Sequence, residues 1–428
     1  RGVPATSRSQ GRRAGRLPLR EYPRGRPGIC TRSLQQKETR PSPLLPPSDH
    51  IPPPAAAPRS GKAPSCGRLL LATTSYRLGH TMPWVEGVDV GGTPPPERGG
   101  HAGCAVGDSL CVFIGGANRT PTAYSDAVAL ECPIGGPYKW KDVACTVAKG
   151  AQLPPRSGAT ATAVGSKVYV IGGQDPETGI AFNDVIVLDT DTWEWSRTYP
   201  EGGSPPLRHS HCAALHDDGR MIVVFGGAGM DGPLSDVWLF DTEVVKWVRP
   251  KVQGQSPPPR EMAAGVAVGG GRVLVYGGRG EAGVLADAWL LDIAEAKWTS
   301  LGHTRHPRCA AAAATVPRAA VPGVAAGSGS VVLLYGGFSG GAVEGDVLLV
   351  DPDAIAKTGV VSAAEAGPGG RFACAGVSLP SAAVTGAVAA RMVVFGGVSA
   401  EADLNSVAVW EQAGKEAAAA APDVAELD

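Results

Sequence analysis

The sequence predicts an all-β protein in which six small antiparallel sheets, or blades, stand in a closed ring around one axis. An apolar run ending in two glycines occurs six times, at steps of 51 to 60 residues. Other positions keep register with these glycines throughout. The 59 glycines and 38 prolines are spread along the chain, as many tight turns between short strands require. Together these observations predict a six-bladed β-propeller.

The glycine pairs mark the end of one strand in each repeat. The residues before them are continuously apolar, which predicts strands buried on both faces between neighbouring blades. Glycine is required there because backbone passes close to backbone or because φ is positive. The pairs are Gly115–Gly116, Gly172–Gly173, Gly226–Gly227, Gly277–Gly278, Gly336–Gly337 and Gly396–Gly397.

Two acidic positions follow each glycine pair in register. The first opens the next strand, and we expect it to accept hydrogen bonds from turn amides. It is Asp126, Asp184, Asp236, Asp287, Asp346 and, in the last repeat, Ser406. The second recurs five residues later without exception, as Glu131, Asp189, Asp241, Asp292, Asp351 and Glu411.

A tryptophan and an arginine complete the repeat. The tryptophan supplies a large apolar face between sheets and is Trp140, Trp195, Trp247 or Trp298. A proline-rich turn then carries Arg98, Arg156, Arg208, Arg260, Arg308 or Arg371. This regularity predicts a structural ion pair or hydrogen bond to a neighbouring blade, with the recurrent acids as partners, and not a binding role.

Residues 82–412 resemble the repeats of the kelch family in this full order of glycine pair, acids, tryptophan and arginine. The resemblance implies a six-bladed kelch β-propeller. It is most similar to that of standalone kelch-only proteins such as the Rab-GTPase effector with kelch motifs. It therefore implies a scaffold or effector that binds another protein, although one fold hosts many activities.

The ring is expected to close through its N-terminal strand. The sixth repeat has Ala417 where the tryptophan is expected. Trp84, in turn, lies 14 residues before Arg98, close to the 13 residues that separate Trp195 from Arg208 and Trp247 from Arg260. We therefore expect a strand at Trp84 to complete the blade begun by residues 371–411. Such closure removes an exposed sheet edge that would otherwise promote aggregation.

The fifth repeat is irregular. Lys357 stands where a tryptophan is expected, and the stretch from Arg308 to Gly336 is longer than its counterparts. We expect a protruding loop around Pro317 and another loop at residues 352–370. These insertions are either part of a working face or neutral drift in a tolerant loop.

Both ends of the chain are expected to be disordered. Residues 1–81 form a basic leader with 13 Arg and 2 Lys against three acids, many prolines and no periodicity, and residues 413–428 form an acidic, Ala-rich tail. The leader is an organelle transit peptide, sequence upstream of a true start at Met82, or the end of a longer protein. We favour the second, because Met82 coincides with the domain edge.

Charge and hydropathy exclude two kinds of partner for the propeller. Residues 82–428 hold 24 basic and 37 acidic residues, a net charge of −13, which argues against nucleic-acid binding. No stretch approaches the ~20 apolar residues that span a bilayer. The nine scattered cysteines form no Cys-x-x-Cys pair, so we expect a reducing, cytoplasmic location, or an organelle if the leader is a transit peptide.

No catalytic residue, metal site or cofactor is expected. The most metal-like group lacks a partner pair at a suitable spacing; it consists of His209, His211, Cys212 and His216. No phosphate-binding loop and no Ser-His-Asp grouping stands out. The alternative is a propeller enzyme, either a metal-dependent oxidase or a specifier-like protein, but its ligand motifs are missing.

The binding face is expected at the loops after each glycine pair and just after each Pro-Arg turn. In kelch adaptors of ubiquitin ligases these positions line a peptide pocket, and the resemblance implies the same here. The first loops carry Asn118, Arg119, Asp175, Met230, Arg279, Glu281 and Phe338, and the second carry Ser157, His209, Ser210, Glu261, Met262 and Phe372. Two arginines beside a phenylalanine and two methionines would suit a peptide with an acidic and an apolar anchor.

Overall fold

The computed structural model describes residues 84–85, 88–120, 122–321, 324, 329–358, 362–379 and 390–412. The predicted leader at residues 1–81 and the predicted tail at residues 413–428 lie outside this set. The described chain folds into six sheets, each built on four antiparallel strands. The predicted six-bladed β-propeller is therefore confirmed.

The blades follow one another along the chain, and their strands are given from the axis outward. Blade 1 contains Ala102–Val106, Leu110–Ile114, Ala127–Glu131 and Tyr138–Lys141. Blade 2 contains Thr160–Val164, Lys167–Ile171, Val185–Asp189 and Glu194–Arg197. Blade 3 contains Cys212–Leu215, Met221–Phe225, Val237–Asp241 and Lys246–Val248.

The remaining three blades repeat this order of strands. Blade 4 contains Ala264–Gly269, Arg272–Tyr276, Asp287–Asp292 and Lys297–His303. Blade 5 contains Ala312–Pro317, Ser330–Tyr335, Asp346–Val350 and Ser362–Ala366. Blade 6 contains Ala375–Leu379, Ala390–Phe395 and Val407–Gln412, with Trp84–Val85 outermost.

Short strands add to the outer edges and to the loops. Val90–Gly91 and Thr146–Val147 pair in parallel with the outer strands of blades 1 and 2, so these edges are covered. Two small hairpins follow the glycine pairs of blades 3 and 4; they are formed by Ala228–Gly229 with Gly232–Pro233 and by Arg279–Gly280 with Gly283–Val284.

The N-terminal strand closes the ring, as predicted. Trp84 pairs with Trp410 and Val85 pairs with Val409 in antiparallel register. The Trp84 ring also lies 4.7 Å, centroid to centroid, from the ring of Tyr335 in blade 5. The last blade therefore takes its outer strand from the opposite end of the propeller sequence.

The core consists of six apolar layers, one between each pair of neighbouring blades. The recurrent tryptophans contribute to these layers. Trp195 of blade 2 is fully buried in the layer that contains Val112 of blade 1. The Trp140 ring of blade 1 lies 4.9 Å from the Phe395 ring of blade 6. The predicted role of the tryptophans between sheets is confirmed.

The recurrent arginines are buried, and in five blades they form ion pairs with the first recurrent acid. Arg260 donates from Nη1 and Nη2 to the two carboxylate oxygens of Asp287 at 2.7 and 2.8 Å, and from Nη1 to the Gly277 carbonyl at 2.9 Å. The same pairing joins Arg98–Asp126, Arg156–Asp184, Arg208–Asp236 and Arg308–Asp346. In blade 6, Arg371 donates to Ser406 instead.

These contacts correct two details of the prediction. The ion pair lies within one blade, and the neighbouring blade is reached through the arginine backbone, since the Gly227 N–H donates to the Arg260 carbonyl. The turn amides are bound by the second recurrent acid and not by the first. Asp241, for example, accepts hydrogen bonds from the N–H groups of Glu243 and Val244.

Blade 5 is more ordered than predicted. Where a loop was predicted at residues 352–370, the described residues include the helix Pro352–Thr358 and the outer strand Ser362–Ala366. Near Pro317 the chain forms the 3₁₀-helix Arg318–Ala320, and the buried Arg318 donates to Asp351 at 2.5 Å. No helix in the described part of the chain is long and apolar enough to cross a membrane.

Candidate functional site

Six backbone hydrogen bonds form a closed circle around the axis at one end of the propeller. In each blade the second residue after the recurrent arginine donates its N–H to the carbonyl of the corresponding residue in the preceding blade, at 2.6 to 2.9 Å. The bond from Gly100 to Ala373 joins the first blade to the last. We call these residues the axial ring: Gly100, Gly158, Ser210, Met262, Ala310 and Ala373.

All six residues of the axial ring have left-handed backbone conformations, with φ between 51° and 66°. Two of them are glycine, which adopts this conformation freely, whereas Ser210 and Met262 adopt it with a side chain. Such conformations persist where the surrounding structure fixes them. Here the hydrogen bonds to both neighbouring blades provide that constraint.

The two predicted sets of loops meet beside the axial ring. In every blade the residue directly after the recurrent arginine forms a β-bridge with the residue directly after the glycine pair. The bridges are Gly99–Ala117, Ser157–Gln174, His209–Ala228, Glu261–Arg279, Cys309–Phe338 and Phe372–Val398. We call the axial ring and these bridge residues the mouth.

The chemistry of the mouth changes around the circle. Blades 1 and 2 contribute small or uncharged residues, whereas blades 3 and 4 contribute His209, Glu261 and Arg279. Blades 5 and 6 contribute an apolar wall, in which the rings of Phe338 and Phe372 lie 6.4 Å apart, centroid to centroid. The mouth therefore has three adjoining sectors: a small, uncharged sector at blades 1 and 2, a polar and charged sector at blades 3 and 4, and an apolar sector at blades 5 and 6.

Glu261 and Arg279 form the central ion pair of the charged side. Arg279 donates from Nε and Nη2 to one carboxylate oxygen, Oε1, at 2.9 and 2.5 Å. The Glu261 side chain is 8% exposed and the Arg279 side chain is 54% exposed. Hydrogen bonding to Glu261 raises the pKa of the Arg279 guanidinium. The pair therefore holds an exposed cation in one orientation.

His209 and Ser210 lie beside this pair. The Nδ1 atom of His209 is 3.1 Å from the Ser210 hydroxyl. Burial lowers the pKa of His209, and the nearby carboxylate of Glu261 opposes this effect. The imidazole is therefore neutral at neutral pH, and it offers a hydrogen bond without a charge.

Several predicted binding residues form hydrogen bonds that stabilise the loops. Asn118 and Asp175 accept hydrogen bonds from backbone N–H groups of their own turns. Arg119 spans the seam between the first and last blades, donating to the carbonyls of Ser399 and Glu401. By contrast, the predicted residues Met230 and Glu281 are exposed at the tips of hairpins, and Met230 is 85% exposed.

The remaining predicted residues lie together in the mouth. They are Ser157, His209, Ser210, Glu261, Met262, Arg279, Phe338 and Phe372. The prediction omitted six residues at the same bridge positions, namely Gly99, Ala117, Gln174, Ala228, Cys309 and Val398. The register relative to the recurrent arginine and to the glycine pair would have found all six.

Below the mouth, a cavity of about 270 Å³ follows the axis. Its lining comes from the inner strands and consists mainly of small residues, among them Ala105, Ala163 and Ala267. Burial raises the pKa of the Cys104 thiol to about 12, so this group remains protonated at neutral pH. The cavity therefore offers shape and hydroxyl groups but no charge for acid–base chemistry.

The histidines and the cysteine of the metal-like group do not converge. His211 is buried, with Nε2 2.9 Å from the Thr160 hydroxyl, while the Cys212 thiol faces the Phe225 carbonyl. His216 lies against Asp218 at the other end of the blade. Within the described ranges, no three His, Cys, Asp or Glu side chains are placed to hold a metal ion.

Comparison with known proteins agrees with this architecture. A family model described as the KLHDC2/KLHL20/DRC7 Kelch-repeats domain matches residues 76–211 and 158–375. The chain belongs to this kelch-repeat family. The kelch resemblance drawn from the repeats is thereby confirmed.

Curated relatives share part of their length with this kelch protein. Adagio-like protein 1 of Oryza sativa is 30% identical over 297 residues, which cover 67% of this chain and 45% of the relative. Acyl-CoA-binding domain-containing protein 4 of Arabidopsis thaliana is 29% identical over 194 residues, 45% of this chain and 27% of the relative. Dynein regulatory complex subunit 7 of Chlamydomonas reinhardtii is 35% identical over 124 residues, which cover 29% of this chain and 11% of the relative. The chain spans less than half the length of each.

Proposed function

We propose that this kelch protein binds an extended segment of a partner protein across the mouth and acts as a scaffold or effector. The observation that carries the proposal is the set of six bridges, which place two loops from every blade side by side around the axis. Loops held on a rigid scaffold are the usual location of binding residues.

The chemistry of the mouth supports a segment with two anchors. Phe338 and Phe372 are partly buried and lie next to one another, which suits an apolar side chain of the partner. Arg279 lies nearby with its Nη1 group free of hydrogen bonds to the described residues, which suits an acid of the partner. Glu261 orients this arginine before the partner arrives, which reduces the entropic cost of binding.

We place this interaction in a reducing compartment such as the cytoplasm. The seven cysteines within the described ranges are free thiols. This pattern is typical of proteins that fold without disulfides.

Affinity capture with the full chain tests the proposal. The double variant Arg279→Glu, Phe338→Ala should lose the proteins that the wild-type chain captures, since it reverses one anchor and removes the other. Val248→Ser is a matched control, because Val248 is an exposed residue on an outer strand far from the mouth in the fold. Capture of the same proteins by the double variant would refute binding at the mouth.

A further inference from the structure

Glu261 is a buried carboxylate with an unused acceptor. Both hydrogen bonds from Arg279 reach Oε1, and Oε2 forms no hydrogen bond with any residue that the structure describes. An ionised carboxylate has about four acceptor positions on its two oxygens. The side chain is 8% exposed and Oε2 is not fully buried, so a ligand at the mouth can reach this oxygen.

The backbone holds this carboxylate in place. The Glu261 N–H donates to the Arg279 carbonyl at 3.0 Å, and the Arg279 N–H donates to the Glu261 carbonyl at 2.8 Å. The two side chains therefore leave neighbouring positions of a fixed bridge. A partner that reaches Oε2 meets an acceptor whose position is already set.

The neighbouring titratable groups supply no second cation. Burial lowers the pKa of His209, so its imidazole is neutral at neutral pH. Burial raises the pKa of the Cys309 thiol, which therefore stays protonated. Arg279 is the one cationic side chain among the bridge residues of the mouth, and it uses only one of the two oxygens.

The charge of the propeller favours a basic ligand at this point. The net charge of residues 82–428 is −13, so the long-range field attracts basic segments. A hydrogen bond between a cation and a carboxylate is also among the stronger polar contacts. Both considerations favour an ammonium or guanidinium over a neutral donor at Oε2.

We propose that Glu261 binds a lysine or arginine side chain of the partner segment through Oε2, beside the apolar anchor on Phe338 and Phe372. The inference rests on the proposed function, because it assigns a further contact of the same segment. The partner then carries a basic residue next to its acidic anchor. The basic residue contacts Glu261, and the acidic residue contacts Arg279.

Selection from a library of random short peptides displayed on phage tests this assignment. The full chain is used as wild type, as Glu261→Gln and as Glu295→Gln. The last is a matched control, since Glu295 is an exposed acid in the turn between the two outermost strands of the same blade, away from the mouth. Melting temperatures establish that the three proteins are folded.

Wild type and Glu295→Gln should enrich peptides that combine an apolar residue with a lysine or arginine. Binding of a selected basic peptide should weaken about tenfold in Glu261→Gln, because a charge-assisted hydrogen bond is lost. Replacement of the peptide's own lysine by glutamine should weaken binding to wild type by a similar factor and have little further effect on Glu261→Gln.

Two other outcomes are distinguishable. If wild type enriches peptides without basic residues, or if Glu261→Gln binds the basic peptides as tightly as wild type, the basic anchor is refuted and the binding mouth is retained. If wild type enriches no peptide, or if the double variant Arg279→Glu, Phe338→Ala binds the selected peptides as tightly as wild type, binding at the mouth is itself refuted.

Discussion

The backbone N–H of Gly100 in the first blade donates a 2.8 Å hydrogen bond to the carbonyl of Ala373 in the last blade. This bond completes the axial ring, so every blade both donates to one neighbour and accepts from the other. The side chain of Arg119 crosses the same seam. The mouth is thus built on a closed circle and not on the end of an open array.

Closure by the N-terminal strand predicts a large effect of Trp84→Ala. The substitution removes the contact with Tyr335 and most of the apolar surface of a two-residue strand. We expect a loss of about 3 kcal/mol in the free energy of unfolding, at the lower end for a tryptophan truncation because Trp84 is partly exposed. Urea denaturation measures this loss.

Val85→Ala is the control for that experiment. Val85 lies in the same strand, but its side chain is exposed and lies outside the apolar layer between blades 5 and 6. It should change the free energy of unfolding by less than about 1 kcal/mol. Equal effects of the two substitutions would argue against a seam held by Trp84.

The recurrent ion pairs predict unequal effects of one substitution at two equivalent positions. Arg260→Met leaves Asp287 buried without its cation and should cost about 3–5 kcal/mol of stability. Arg371→Met leaves only a serine hydroxyl and a carbonyl without their hydrogen-bond donor. It should therefore lower the free energy of unfolding by only about 1–2 kcal/mol. Thermal and urea unfolding of both variants provide the comparison, and equal costs would contradict the structural role of the carboxylate.

Two buried histidines predict acid sensitivity of the fold. Burial and the nearby Arg98 charge lower the pKa of His101 to about 3, and burial and the Arg208 charge do the same for His211. The unfolded chain therefore binds protons below about pH 6.5 that the folded chain does not. Stability should be full above this pH and should fall as the pH drops toward 3.

The slope should approach about 1.4 kcal/mol per pH unit for each histidine between pH 6 and 4. For each variant, the free energy of unfolding is compared with its own value above pH 6.5. His211→Gln should reduce the slope by about half, whereas the exposed His303→Gln should leave it unchanged. Denaturant midpoints measured across this pH range test the prediction. An unchanged slope in His211→Gln would show that another group is responsible.

The aromatic wall predicts the residue on which affinity depends most. Once a peptide ligand is selected, Phe338→Ala should weaken its binding by more than about tenfold, because an aromatic anchor contact is lost. Met230→Ala should have a much smaller effect, since Met230 is fully accessible at a hairpin tip. Isothermal titration measures both dissociation constants, and a larger effect of Met230 would place the ligand on the rim.

The architecture was predictable from the sequence because each blade repeats the same physical requirements. Glycine pairs, acids, tryptophans and arginines recur at a constant register, and the missing tryptophan near Ala417 indicated that Trp84 completes the last blade. The partner of each arginine was less predictable. The first acid recurs in five repeats and the second in all six, and only the structure shows that the first pairs with arginine and the second binds turn amides.

The site was predictable in position but not in detail. Their positions directly after the recurrent arginine and directly after the glycine pair placed Glu261 and Arg279 on adjacent loops. These positions could not show that the two side chains form an ion pair. Register also could not show that Arg119 spans the seam, because that contact joins residues from opposite ends of the propeller sequence. Such contacts depend on ring closure, which repeat patterns describe only in outline.

Site-specific photo-crosslinking tests the central claim most directly. A photoreactive amino acid is placed at Glu281 on the hairpin tip that follows the mouth residue Arg279, at Val248 on an outer strand, and at Ile134 at the opposite end of the propeller, all of them exposed. Binding at the mouth predicts that a selected peptide or captured partner crosslinks from Glu281 and not from the other two positions. Crosslinking from Val248 or Ile134, with none from Glu281, would contradict it.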